Sequence, residues 1–334
     1  MHAGKKSLPS HCAEIGLVLQ GGGALGAYQA GVYATLAQRG YEPDWISGVS
    51  IGAINGALIA GNPPERRAER LRQFWELVTD GISVKPLLDG DMARGVFNEW
   101  SALASIASGV PGFFLPRMPS AWLQPWGTEG ALSFYDTAPL RETLEQLVDF
   151  DLLNAGHPRL SVGAANIRKG NSVYFDTRER RIGPEHIMAS AALPPGFPPV
   201  QIDGEYYWDG GVVTNTPLQY LLDVQRDASM LVFQVDLFSA RGAMPHNLLG
   251  VYERQKDILY SSRTRLNTDM AKHEQELRRA IERLLEKLPA ELQSDADVRI
   301  VRQGQPADSA FILQSGEAEI VTAPPGGGQF VVAR

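Results

Sequence analysis

Trp45-Ile-Ser-Gly48-Val-Ser50-Ile-Gly52-Ala-Ile-Asn-Gly-Ala-Leu-Ile-Ala60 is the stretch on which the fold turns. Its opening residues form a short apolar run of strand type that ends at Ser50. Ile51 to Ala60 follows as a helix of small residues, stopped by Gly61-Asn62-Pro63-Pro64. Gly48-Val-Ser50-Ile-Gly52 therefore fits G-x-S-x-G where a strand turns into a helix. Such an elbow strains the backbone at the serine and pushes its hydroxyl outward, and a side chain at either flanking glycine would collide with the neighbouring strand or helix. A nucleophile and a plain Gly/Ser packing turn are the two readings of such a match, and the strand-then-helix setting favours the nucleophile.

Upstream, Glu14 to Leu19 is a second strand-like run, closed by Gly21-Gly22-Gly23. Ala24 to Gln38 then has helical spacing through Leu25, Tyr28, Val32 and Leu36. Strands alternating with helices at this interval predict an α/β fold with a mainly parallel central sheet and helices on both faces. Three readings of Gly21 to Gly26 compete: backbone donors for an oxyanion, a dinucleotide-binding turn, or a structural turn. A dinucleotide fingerprint wants an acidic residue at the end of the second strand, whereas Asp44 precedes that strand and a serine ends it.

Downstream, Glu65 to Asp80 reads as an amphipathic helix. Residues 81–135 read as an irregular insertion in which Phe113, Phe114, Trp122 and Trp126 suit either a lid or membrane-facing entrance, or ordinary packing over a sheet edge. Val200-Gln-Ile202 and Glu205-Tyr-Tyr-Trp208 flank Asp203-Gly204, a hairpin signal. Leu266, Met270 and Leu277 recur at helical steps in 252–288, which predicts one or two amphipathic helices, either packed on the rest of the chain or forming a homo-oligomer contact. Short strand-like runs fill 297–334.

Composition narrows the function. The 334 residues carry 31 Lys+Arg against 38 Asp+Glu, a formal charge of -7, which gives no electrostatic case for nucleic-acid binding. The single Cys12 allows no intrachain disulfide and no thiolate metal site, and it favours a reducing compartment. No His, Asp and Glu set has metal-ligand spacing, so neither metal nor cofactor is expected. The N-terminal stretch lacks the apolar core of a signal peptide, and no run reaches the length of a membrane span. His246, in a Pro-flanked loop, and His273, in a charged helix, are the histidines that follow Asp209, and both are expected to be solvated.

Gly21-Gly-Gly-Ala-Leu-Gly26, Gly48-Val-Ser-Ile-Gly52 and Asp209-Gly210-Gly211, with Ala189-Ser-Ala-Ala-Leu-Pro-Pro195 and Phe197-Pro-Pro-Val200 before the aspartate, together resemble the motifs of the patatin-like phospholipases, in the family's order over about residues 14–237. The resemblance implies a serine esterase acting on phospholipid or other fatty acyl esters through an acyl-enzyme. In it Ser50 is the nucleophile, Asp209 its base, and the backbone of Gly21, Gly22 and Gly23 the oxyanion hole, with Gly22 and Gly23 favoured. Leu25 stands where many members carry a basic residue, which weakens any attraction of this loop for anionic head groups. Burial beside Trp208 would raise the proton affinity of Asp209 enough for a dyad without histidine. The expected organisation is a tail at 1–13, a hydrolase domain at 14–245 with its insertion at 81–135, a helical segment at 246–296, and at 297–334 the opening strands of what resembles a cyclic-nucleotide-binding β-roll, with no nucleotide site. A cytoplasmic enzyme, with the peripheral cytoplasmic face of a membrane as its alternative place, follows from this reading. Its rival is a nucleotide-responsive binding module with a silent hydrolase core.

Overall fold

The computed structural model describes residues 13–80, 107–223, 230–285, 309–314, 317–322 and 330–331. The expected strand at Val298–Val301, the first part of the insertion and the tail with Cys12 lie outside them. The chain is α/β, with a mixed sheet and helices on both faces. It forms two compact units, one drawn from Met1–Ser47 and Thr214–Arg334, the other from Gly48–Val213.

In the first unit β1 (Glu14–Leu19) is buried along its length after Glu14, as a strand covered on both faces must be, and so reads as a continuous apolar run. A single 3-10 turn at Gly23–Gly26 leads into α1 (Ala27–Gln38), and β2 begins at Trp45 and ends at Val49. Asp44 has a structural task here: its carboxylate accepts from the N–H of Ile15 at 2.9 Å while its own N–H donates to the Ile15 carbonyl at 2.8 Å. It is therefore held at the start of β1, the wrong end for a ribose.

The second unit opens with α2 (Ile51–Ala60), in which every residue is buried, so its run of small and apolar side chains has no polar face. α3 (Pro64–Thr79) is amphipathic, with Pro64 at its start and Leu71 and Phe74 turned inward. Two-residue strands β3 (Leu115–Pro116) and β4 (Tyr135–Asp136) pair antiparallel and bracket residues 117–134. After α4 (Ala138–Leu147) and α5 (Phe150–Asn154) comes β5 (Arg159–Asn166), buried throughout. It pairs antiparallel with β6 (Ser172–Asp176) and with β8 (Glu205–Asp209). α6 (Pro184–Ser190) precedes β7 (Val200–Ile202), which joins β8 through Asp203 (φ 51°) and Gly204 (φ 79°), the positive pair a two-residue hairpin turn requires.

The first unit resumes with α7 (Leu218–Asp223) and β9 (Met230–Val235), parallel to β1 with Leu17 opposite Phe233. Residues 252–288 are read above as one or two helices, and α8 is one helix of 38 residues, Leu248–Leu285. Its buried face carries hydroxyls, Ser261, Thr264 and Thr268, whereas Leu266, Met270 and Leu277 are exposed. Polar partners decide this inversion: the Thr264 hydroxyl accepts from Gln20 Nε2 at 2.8 Å and lies 2.7 Å from that of Thr216. β10 (Ser309–Gln314) runs parallel to β9 and antiparallel to β11 (Glu317–Thr322), which pairs with β12 (Phe330–Val331). β10 thus covers the β9 edge, which would otherwise present unpaired backbone groups.

Candidate active site

Ser50 sits between β2 and α2 at φ 56°, ψ -125°, a region that non-glycine residues enter only when the surroundings hold them there. The neighbours show why the elbow is made of small residues. A Cβ at Gly48 would lie 2.4 Å from the carbonyl oxygen of Gly52, and one at Gly210 would lie 2.5 Å from the carbonyl oxygen of Gly163 in β5. Backbone approaches backbone at both places, so neither clash is relieved by a rotamer change.

The Ser50 side chain is half-buried and hydrogen bonds to the carboxyl of Asp209, which is 2% exposed. Asp209 is the last residue of β8. It pairs with Ala164 of β5, donates its N–H to the Ala192 carbonyl at 2.9 Å, and accepts from Gly211 N–H at 2.7 Å. Burial pushes its proton affinity up to a pKa of about 6, from 3.8, against the opposing pull of the Ser50 and Gly211 hydrogen bonds. The two-residue period of β8 places Tyr207 and Asp209 on one face and Trp208 on the other.

One positioning residue escaped the sequence reading. The N–H of Ser50 donates to the hydroxyl of Ser190 at 2.9 Å, and this fully buried hydroxyl donates to the Gly163 carbonyl at 2.6 Å. Ser190 lies within the Ala189–Pro195 stretch, so the signal was present, but its role depends on a partner 140 residues away.

The glycine turn is anchored inside its own unit. Gly21 donates its N–H to the Asn215 carbonyl at 3.1 Å and accepts from Asn215 Nδ2 at 2.9 Å. Gln29 Nε2 reaches the Gln20 carbonyl at 2.7 Å, and Gln20 Oε1 accepts from the N–H of Leu237. The Gly21 N–H is thereby engaged, which separates it from Gly22 and Gly23. Gly26 ends the 3-10 turn and is the N-cap of α1, and Gly210 and Gly211 form the turn after Asp209. His246 and His273 are both exposed.

The four insertion aromatics fall into two pairs. Phe113 and Phe114 pack with Phe197, at ring-centre distances of 5.8 and 5.1 Å, and Phe114 packs at a tilt against Tyr135 at 4.6 Å. Trp122 and Trp126 face outward.

The chain is similar to known proteins in sequence. The sequence profile described as Patatin-like phospholipase matches residues 17–222, and a second, described as Patatin phospholipase, matches residues 258–313. The chain is 24% identical over 241 residues to the lysophospholipase NTE1 of Candida glabrata, covering 69% of this chain and 11% of that protein. It is 43% identical over 93 residues to the lysophospholipase nte1 of Aspergillus terreus (25% and 6%). An uncharacterized NTE family protein of Mycobacterium bovis is 24% identical over 228 residues, 67% of this chain and 49% of that one. The chain thus spans at most about half the length of these relatives. Among solved structures, human GIVD cytosolic phospholipase A2 aligns at TM-score 0.39 and 11% identity, covering 70% of this chain and 46% of that one.

Proposed function

The chain belongs to the patatin-like phospholipase family, and from that premise we propose that it hydrolyses fatty acyl esters of lipids, with Ser50 as nucleophile and Asp209 as its general base. The observation that carries the reading is the hydrogen bond between the Ser50 hydroxyl and a buried carboxyl whose pKa is raised to about 6. An ordinary carboxylate is too weak a base for a serine hydroxyl. Desolvation strengthens Asp209 as a base, yet at neutral pH it is still mostly ionised and able to accept a proton.

In the reaction Asp209 takes the Ser50 proton as Oγ attacks the acyl carbonyl. The carbonyl electrons move to oxygen, and the oxyanion is assigned to the backbone N–H groups of Gly22 and Gly23, whose neighbour Gly21 is already engaged by Asn215. Collapse breaks the ester C–O bond, and Asp209 returns the proton to the departing alcohol oxygen. Water then repeats the sequence on the acyl-serine: Asp209 accepts its proton, the acid departs, and Ser50 regains its hydrogen. No third residue is required, because Asp209 is oriented by Gly211 N–H and by its place in β8.

The substrate class is a phospholipid, lysophospholipid or other fatty acyl ester, met at the surface of a membrane or lipid aggregate. Among the described residues no helix is long and apolar enough to cross a membrane. Labelling with a fluorophosphonate probe tests the proposal directly. Ser50 is expected to be the modified residue, and Ser50→Ala to abolish both labelling and hydrolysis of p-nitrophenyl esters while leaving the melting temperature unchanged. Hydrolysis that survives Ser50→Ala would refute it.

A further inference from the structure

Between β3 and β4 the chain turns four large apolar side chains to water within residues 118–126: Met118 (89% exposed), Trp122 (84%), Leu123 (76%) and Trp126 (100%). Ordinary packing does not explain them, since Phe113 and Phe114, a few residues earlier, are the ones gathered against Phe197 and Tyr135. We infer that this loop is a docking surface for the interfacial zone of a lipid bilayer or aggregate. The inference rests on the lipid-ester reading above and names the surface through which that substrate is met.

The chemistry of the loop selects the occupant. From Ser108 to Tyr135 the charged side chains are Arg117 and Glu129 alone, so little charge must be desolvated when the loop leaves water. Indole rings settle at the head-group level, where an apolar ring and an N–H donor are both accommodated, and the loop offers two of them. Its backbone is partly closed on itself: Leu123 N–H donates to Ser120, Gln124 N–H to Ala121 and Thr128 N–H to Pro125, and the Gln124 side chain reaches the Pro119 carbonyl at 2.9 Å. Those groups keep their partners at a membrane surface, where water no longer supplies them.

The loop is also tied to the site. At its base the N–H groups of Phe134 and Tyr135 donate to the carbonyls of Pro195 and Gly196, at 3.1 and 2.9 Å. Those residues lie a few positions after Ser190 and Ala192, which hold the backbones of Ser50 and Asp209. A lipid surface seated on Trp122 and Trp126 is thereby placed at a set position relative to the elbow, through one continuous stretch of hydrogen-bonded chain.

The experiment uses the full chain carrying Trp122→Ser and Trp126→Ser. Partition onto phosphatidylcholine vesicles is measured by sedimentation in a Ser50→Ala background, so that no lipid is consumed. Turnover of p-nitrophenyl butyrate and the melting temperature are measured with Ser50 intact. The expected result is a loss of vesicle partition of about tenfold or more, with short-ester turnover and melting temperature unchanged. Partition undiminished by the double substitution, or no vesicle binding by the parent chain, would overturn the inference. So would a parent dimer in sedimentation velocity that the substitutions disperse without changing vesicle binding, since the surface would then serve a second copy. Failure of Ser50 to label, with vesicle partition still dependent on the two tryptophans, would sink the hydrolase reading and leave the docking surface in place.

Discussion

The hydroxyl of Ser190 stands between the Ser50 N–H, from which it accepts, and the Gly163 carbonyl, to which it donates, so the backbone of the elbow hangs on one buried side chain. Ser190→Ala leaves both a buried donor and a buried acceptor without a partner, an expected loss of about 1–3 kcal/mol in stability. Because the elbow at φ 56° is held in place by its surroundings, kcat is expected to fall about ten- to a hundredfold on short and long esters alike. Turnover equal to that of the parent would show that the elbow keeps its shape without Ser190.

The pH profile follows from Asp209. In the proposed mechanism its carboxyl must be ionised to accept the Ser50 proton, and it becomes ionised near pH 6. kcat/KM for an uncharged short ester is therefore expected to fall about tenfold per pH unit below that point and to level off above it. An acid limb centred near 4 would mean that burial does not perturb this carboxyl in solution.

Asp209→Asn separates activity from stability. The folded carboxyl titrates near 6 and the unfolded one near 3.8, so the native state favours the protonated form. The ionised carboxylate therefore destabilises the fold at pH 8, by up to about 3 kcal/mol; this penalty shrinks as pH falls through 6 and is gone below 3.8. The amide carries no such charge. Asp209→Asn is expected to be inactive yet at least as resistant to urea as the parent at pH 8, an advantage that disappears near pH 3.5. A marked loss of stability at pH 8 would contradict this account.

Phe114→Ala tests the inner aromatic pair. Removing a ring packed on Tyr135 and Phe197 is expected to lower stability by about 1–3 kcal/mol and to reduce turnover of short and long esters by the same factor. Loss confined to long-chain substrate with an unchanged melting temperature would assign Phe114 to acyl binding instead.

Several elements were legible because they are written within a few residues. The Asp203-Gly204 hairpin is one, and the strand, glycine turn and helix at Glu14–Gln38 is another, except that a 3-10 turn replaces the first turn of the expected helix. α8 was legible as a helix but not in its orientation. The Leu266, Met270 and Leu277 stripe points away from the buried face, because Gln20 and Thr216 offer hydrogen-bond partners to Thr264 that no periodicity can announce.

Sequence alone determined the positions of Ser50 and its flanking glycines, since steric exclusion by neighbouring backbone is a local rule that Gly48 and Gly52 declare by lacking a side chain. Tertiary structure alone decided that Ser190 supports the elbow, and that the Asp209 carboxyl, which the motif resemblance had already singled out, is buried and holds a proton more readily than an ordinary one. It also divided the insertion aromatics into a packed pair and an exposed one. The physical reason is that desolvation and long-range hydrogen bonds belong to the surroundings a residue acquires on folding. Asp209 is an ordinary aspartate in the chain, and its proton affinity rises only when β5, β8 and the residues around Ala192 exclude water from it.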